Sequence, residues 1–177
     1  MMFFFVMVVI GINQGMQPIA GFNFGAKHYT RLNQVLKYAI TIATGIWIVG
    51  FIVCVLLATP VASAFTNDEE LLKEAAHALR VMNLVVPIIG FQMITIGFFQ
   101  SIGKAGISIF LSLTRQLLFL VPLLLILPNF FGLEGIWYSV PIADGTSAIT
   151  AAIVLIYHMR KFKMRGKLEN SNLQTEI

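Results

Sequence analysis

The sequence predicts an all-α fold, a polytopic membrane helix bundle with about five transmembrane helices, on three observations. Of its 177 residues, 58% are hydrophobic and only 11% charged, with a mean hydropathy of +0.85. That is more apolar surface than a soluble domain of this size can hide. The apolar residues gather into five runs, each close to the ~20 residues that cross a ~30 Å hydrocarbon core. The basic residues lie in short blocks between these runs instead of forming one positive face. Such spacing marks membrane topology and argues against nucleic acid as a partner.

The first span covers residues 1–23 and opens with MMFFFVMVVI. It lacks the basic n-region and nearby cleavage site of a signal peptide, so the chain is expected to begin inside a longer protein, the alternative being a true short start with an exported N-terminus. The second span covers 38–65. In the link TNDEELLKEAAHALR, Thr66 and Glu69 fit a capping box, and Leu71, Leu72, Ala75 and Leu79 recur at helical spacing. A short amphipathic helix is expected there, on the outer face. Spans three, four and five cover 81–102, 106–127 and 135–157. Residues 1–163 thus form one membrane unit, and 164–177 form a polar tail. Its segment KLENSNLQTEI has no periodic apolar positions and is expected to be disordered.

Lys27, Arg31 and Lys37 follow span one, Lys104 follows span three, and Arg160, Lys161, Lys163, Arg165 and Lys167 follow span five. The other two links hold Asp68, Glu69, Glu70, Glu74 and Glu134 against only Lys73 and Arg80. The positive-inside rule therefore puts the C-terminus in the cytoplasm and, with five spans, the N-terminus outside.

Enzyme chemistry finds no support in this pattern. The lone Cys54 excludes an internal disulfide, and His28, His77 and His158 stand far apart, so no metal or cofactor is expected. The serines lack a His/Asp arrangement at recognisable spacing, the pair Glu69–Glu70 sits at a solvated helix start, and no GxxxxGK[ST] loop is present.

Polar residues inside the spans are the candidates for function. Span one carries Asn13, Gln14, Gln17 and Asn23 around Pro18, with Gly11/Gly15 and Gly21/Gly25 each four apart. Amides in hydrocarbon need partners and glycines permit close helix approach, so this helix is expected to face the interior. Span three carries Gln92, Thr95 and Gln100 on roughly one face, which is expected to line a cavity; alternatively, Gln100 belongs to the inner interface near Lys104. Asn83 in the same span can belong to the outer interface.

Asp144 is the only acid in span five. At 1.5 Å per residue it lies about 14 Å below the outer end, while Arg115 lies about 14 Å above the inner end of span four. Their depths nearly coincide, so they can pair. Three readings stay open: a fixed link between helices, a carboxylate that exchanges a proton or cation, or an Arg115 that snorkels to the interface without meeting Asp144. Pro141, three residues before Asp144, removes the N–H that would bond the Trp137 carbonyl and is expected to kink the helix. Pro87 and Pro122 are expected to interrupt spans three and four.

The run QGMQPIAGFNFGAKHYTR resembles the cytoplasmic end of the eighth helix of the multidrug and toxic compound extrusion (MATE) transporters. The similarity continues through FTNDEELLKEAA, GFFQSIGKAG, LTRQLLFLVPLLLILP and FGLEGIWYSVPIADG, up to about Lys163, and the later runs are similar to the MepA-like bacterial branch. The resemblance implies the end of the C-terminal lobe of a twelve-helix pump, lacking its first seven helices. It further implies a bacterial cytoplasmic (inner) membrane location, and alternating access against a missing N-terminal lobe. Amphipathic or cationic drugs would leave in exchange for H⁺ or Na⁺, with no cofactor beyond the coupling ion. Phe91, Met93, Phe98 and Phe99 are then candidates for a pliable drug surface, or else simply pack between helices. Some sodium-coupled members carry a carboxylate on the helix matching span three. From Val81 to Ile102 this chain has none. Rival readings are a lipid-linked saccharide exporter, a small self-assembling exporter and a truncated, non-transporting remnant.

Overall fold

The computed structural model describes residues 2–63, 81 and 85–175. Among them the elements are all helical: α1 (Met2–Gly25), α2 (Tyr29–Ser63), α3 (Val86–Ser101), α4 (Ala105–Leu113), a π-helical stretch (Thr114–Leu120), α5 (Val121–Phe131) and α6 (Leu133–Thr175). Among the described residues, four stretches are long and apolar enough to cross a membrane: Phe3–Gly25, Tyr29–Leu57, Ala105–Phe131 and Glu134–Met164. The third of these joins α4, the π-helical stretch and α5 into one continuous rod. The remaining expected span, 81–102, is represented by the 16 residues of α3. Asn83 and the capping box at Thr66 and Glu69, with its amphipathic helix, lie outside the described residues.

Helix α3 sits at the centre, packed against α1, α2, α4 and α6. The core it anchors is built from stripes at helical period. On α2, Leu32, Leu36, Ala39, Ala43 and Trp47 are buried, three or four residues apart as one helix face requires. On α3, Ile94, Phe98 and Phe99 meet them, and Ala151, Leu155 and Phe162 of α6 complete the cluster. The opposite faces are equally apolar and remain exposed, as at Phe22, Ile52, Leu56 and Phe130. A helix that is apolar all round suits lipid on its outer side, and this is why hydropathy alone located the spans.

Two turns close by backbone geometry. Gly103 takes φ +75° between α3 and α4, and Gly132 takes φ +58° between α5 and α6, where its N–H caps the Pro128 carbonyl at 2.9 Å. Both lie in left-handed space, which glycine enters without a Cβ clash.

The prolines act differently from expectation in one case and leave a signature in another. Pro87 lies in the first turn of α3, where its missing N–H has no intrahelical partner to lose, so it does not interrupt the helix. Pro122 follows the π-helical stretch, and the Val121 N–H reaches back five residues to Gln116 O. A proline cannot donate to the carbonyl four residues before it, and its ring crowds that carbonyl. One wide turn just before Pro122 relieves the crowding. Pro18 and Pro141 lie inside continuous helices.

Two expectations about helix ends are corrected. Helix α2 starts at Tyr29, nine residues before the predicted span, because hydropathy marks the lipid-crossing part and not the polar turns that extend it. At the other end, α6 continues to Thr175 through the segment expected to be disordered. Lys, Arg, Leu, Glu and Gln are good helix formers, and extending an existing helix needs no new nucleus.

Candidate functional site

The rod from Ala105 to Phe131 and α6 run antiparallel, which brings Arg115 and Asp144 to the same depth. Arg115 Nε donates to Asp144 Oδ1 at 2.7 Å, with the aspartate side chain 6% exposed and the arginine 33%. Arg115 belongs to the π-helical stretch, whose wider turn changes the direction in which successive side chains leave the axis. An isolated charge at mid-membrane costs about 2.5–3.5 kcal/mol on insertion scales, so each member of the pair offsets much of the other's cost.

A second layer holds the turn that carries the acid. Gln92 Nε2, from α3, donates to Asp144 O at 3.1 Å and to Ser147 Oγ, while the Ser147 hydroxyl donates to the same carbonyl at 3.1 Å. Gln92 is 3% exposed, and its Oε1 is buried with no hydrogen-bond partner among the described residues. One helical turn of α6 is thus gripped through its backbone by α3 and through its carboxylate by Arg115. Nearer the start of α6, Gly135 meets the backbone of Leu127 and Pro128, and Ser139 Oγ bonds Leu123 O at 3.1 Å and Gly135 O at 2.6 Å. These contacts hold α6 against α5. The arrangement suits a switch: protonating the carboxylate, or placing another cation on it, removes the charge that holds Arg115.

The MatE family model matches residues 1–126 of this chain. The chain belongs to the MATE transporter family. It is 25% identical over 154 residues to the multidrug export protein MepA of Staphylococcus aureus (strain MSSA476), an alignment covering 87% of this chain and 34% of that protein. Among solved structures, a ligand complex of the MATE multidrug transporter DinF-BH superposes with a TM-score of 0.83 at 40% identity, over 91% of this chain and 36% of that one. An outward-facing MATE transporter of the MOP superfamily superposes at 0.80 with 25% identity, over 88% of this chain and 36% of the other. The chain therefore spans about a third of the length of the MATE proteins it matches.

The other residues singled out in the sequence scatter. Gln92 and Thr95 are buried on α3, but the Thr95 hydroxyl donates to Phe91 O in its own helix at 2.8 Å. Gln100, expected on the same face, is exposed at the helix end. On α1, Gln14 is exposed and Gln17 half-buried; Asn23 is buried, with Nδ2 donating to Ile19 O of the same helix at 2.8 Å. Of these, Gln92 alone is hydrogen-bonded to Asp144 among the described residues. Phe98 and Phe99 are fully buried core residues, with Phe91 and Met93 packed against that core, so Phe98 and Phe99 offer no surface to a drug in this structure.

Two features escape sequence reasoning. Ser147, which the sequence shows only as a small neighbour of Asp144, ties Gln92 to the site; its position three residues after the acid is the available signal. The π-helical stretch is signalled only by Pro122.

Proposed function

We infer that the complete transporter exports amphipathic or cationic drugs in exchange for H⁺ or Na⁺ by alternating access. This chain forms the end of its C-terminal lobe, and Asp144 is the group on which the coupling ion acts. The observation that carries this reading is the ion pair between buried Asp144 and half-buried Arg115 in the apolar part of the bundle. Membership of the MATE family supports multidrug efflux as the broad function, and the name of the MepA relative, a multidrug export protein, points the same way.

In the resting arrangement Arg115 neutralises Asp144 and clamps the α4–α5 rod to α6. Arrival of a proton or sodium ion neutralises the carboxylate from another source, which weakens that clamp. An ion with different affinities for the clamped and released states biases the equilibrium between them. The basic links and the C-terminus lie on the cytoplasmic side of a bacterial inner membrane, following the distribution of Lys and Arg.

Asp144→Asn in the intact pump tests this. Drug export is expected to fall at least tenfold at matched expression, with loss of its dependence on the ion gradient. Normal resistance at normal expression would reduce Asp144 to architecture. A second reading, a fixed link between helices, draws on the Gln92 and Ser147 bonds that hold the same turn. It predicts that Asp144→Asn retains export despite its loss of stability, so export is the measurement that separates the two readings.

A further inference from the structure

At the end of the bundle where the basic links gather, a groove of about 280 Å³ runs between α2 and α6, lined by Asn33, Leu155, Ile156, Met159, Arg160 and Lys163. We propose that this groove binds one anionic phospholipid, its phosphate between Arg160 and Lys163 and its acyl chains along Leu155, Ile156 and Met159. Leu155, Met159 and Lys163 follow one another at four-residue steps, and Ile156 and Arg160 run beside them. One face of α6 therefore changes from apolar to basic within about 12 Å. A phospholipid at a membrane surface makes the same change along its own length, from acyl chain to phosphate. Arg160 and Lys163 are exposed and Leu155 is buried, with Met159 half-buried and Ile156 exposed beside it, so the charged end is open and the apolar end offers a partly recessed surface to an acyl chain. Among the described residues, no acidic side chain lines the groove. A cationic drug would be repelled at its mouth, whereas a phosphate would be attracted by two positive charges.

The groove is also rigidly backed. Phe162, between Lys161 and Lys163, is 2% exposed. Its ring stacks on Tyr29 at 5.9 Å between centroids and meets Phe24 edge-on at 5.5 Å. The start of α2 and the basic part of α6 are thus fixed to each other before any ligand arrives. Asn33 lines the groove from α2. Phosphatidylglycerol carries a net negative charge, whereas phosphatidylcholine carries a choline cation beside its phosphate, which the two basic side chains repel. Charge therefore selects the anionic lipid.

The test is native mass spectrometry of the full chain released from nanodiscs containing equal dioleoyl-phosphatidylglycerol and dioleoyl-phosphatidylcholine. One retained phosphatidylglycerol is expected, enriched about tenfold over phosphatidylcholine. Arg160→Ala with Lys163→Ala should bring that ratio towards one. Arg31→Ala with Lys161→Ala removes the same charge from exposed positions outside the groove and should leave it unchanged. Circular dichroism of each variant confirms that the helices persist. Equal retention of both lipids by the unaltered chain would overturn the proposal. So would equal loss from the two charge-removing pairs, or a second copy of the chain in place of the lipid. The readout does not involve transport, so it stands or falls separately from the efflux mechanism.

Discussion

Helices α1 and α3 both carry glycines and amides through the apolar part of the bundle, yet they place their glycines differently. On α3, Gly90, Gln92, Thr95 and Gly97 are all buried. A Cβ added at Gly90 would run into the Trp47 ring and lie 2.9 Å from the Ala43 carbonyl oxygen, and one at Gly97 would overlap the Asn13 amide. On α1, Gly11, Gln14, Gly15 and Gly25 are exposed, and a Cβ at any of those three glycines would meet nothing within 4 Å. Among the α1 glycines, the one close approach is at Gly21, where an added Cβ would lie 3.0 Å from Ser101 O. Spacing four apart therefore does not identify the packed glycines; the number of neighbouring helices does. Helix α3 is surrounded, so each position without a side chain is filled by a neighbour, and its amide can reach across to α6.

That reach makes Asp144 the point where the contrast breaks most strongly. Asp144→Asn leaves Arg115 without its charge partner in the bundle and is expected to destabilise the chain by about 2–3 kcal/mol, at or below the lower end for a fully buried pair because the Arg115 side chain is 33% exposed. Combining it with Arg115→Gln should recover most of that loss, because no lone charge remains. Thermal unfolding in detergent measures both. If the double variant is no more stable than the single one, the pair is not the source of the effect.

Gly90→Ala comes next. The methyl group faces the backbone of α2 and an indole that is itself buried, neither of which can move cheaply, so a cost of about 1–3 kcal/mol is expected. An unchanged unfolding temperature would mean that the α2–α3 contact yields without strain. Gln92→Leu should cost less, under about 1 kcal/mol. It removes the donor to Asp144 O and Ser147 Oγ but also removes the buried, unpartnered Oε1, and an apolar side chain of similar size fills the space. Its larger effect is expected on ion dependence of export in the intact transporter, since the turn bearing Asp144 loses its tie to α3.

How much of this was legible follows from which properties are additive along the chain. Hydropathy is an average over many residues, so the spans survived errors at their ends. The Arg115–Asp144 pairing was accessible because depth depends only on helical rise and on antiparallel order. The orientation of a helix about its own axis is not additive when both faces are apolar. Nothing in the sequence told the exposed Gln14 from the buried Gln92, or the core residues Phe98 and Phe99 from exposed ones such as Phe22. The π-helical turn before Pro122 was hidden for a different reason: it is a compromise between a proline ring and the packing of α6, and only the first is written locally.

The smallest expected effect sharpens the contrast from the other side. Gly15→Ala on α1 adds a methyl group where no atom lies within 4 Å, and alanine loses less backbone entropy than glycine in a helix. Unfolding of this chain should change by no more than about 0.5–1 kcal/mol, towards greater stability. The same substitution in a full-length MATE protein asks a separate question, because the face carrying Gly11 and Gly15 can there meet a helix from the other lobe. Gly15→Leu is the more demanding probe: tolerated in this chain, it should reduce export in the complete transporter if the open face of α1 is where the two lobes approach. Equal tolerance in both would assign that face to lipid, and Gly11 and Gly15 would then have no packing role at all.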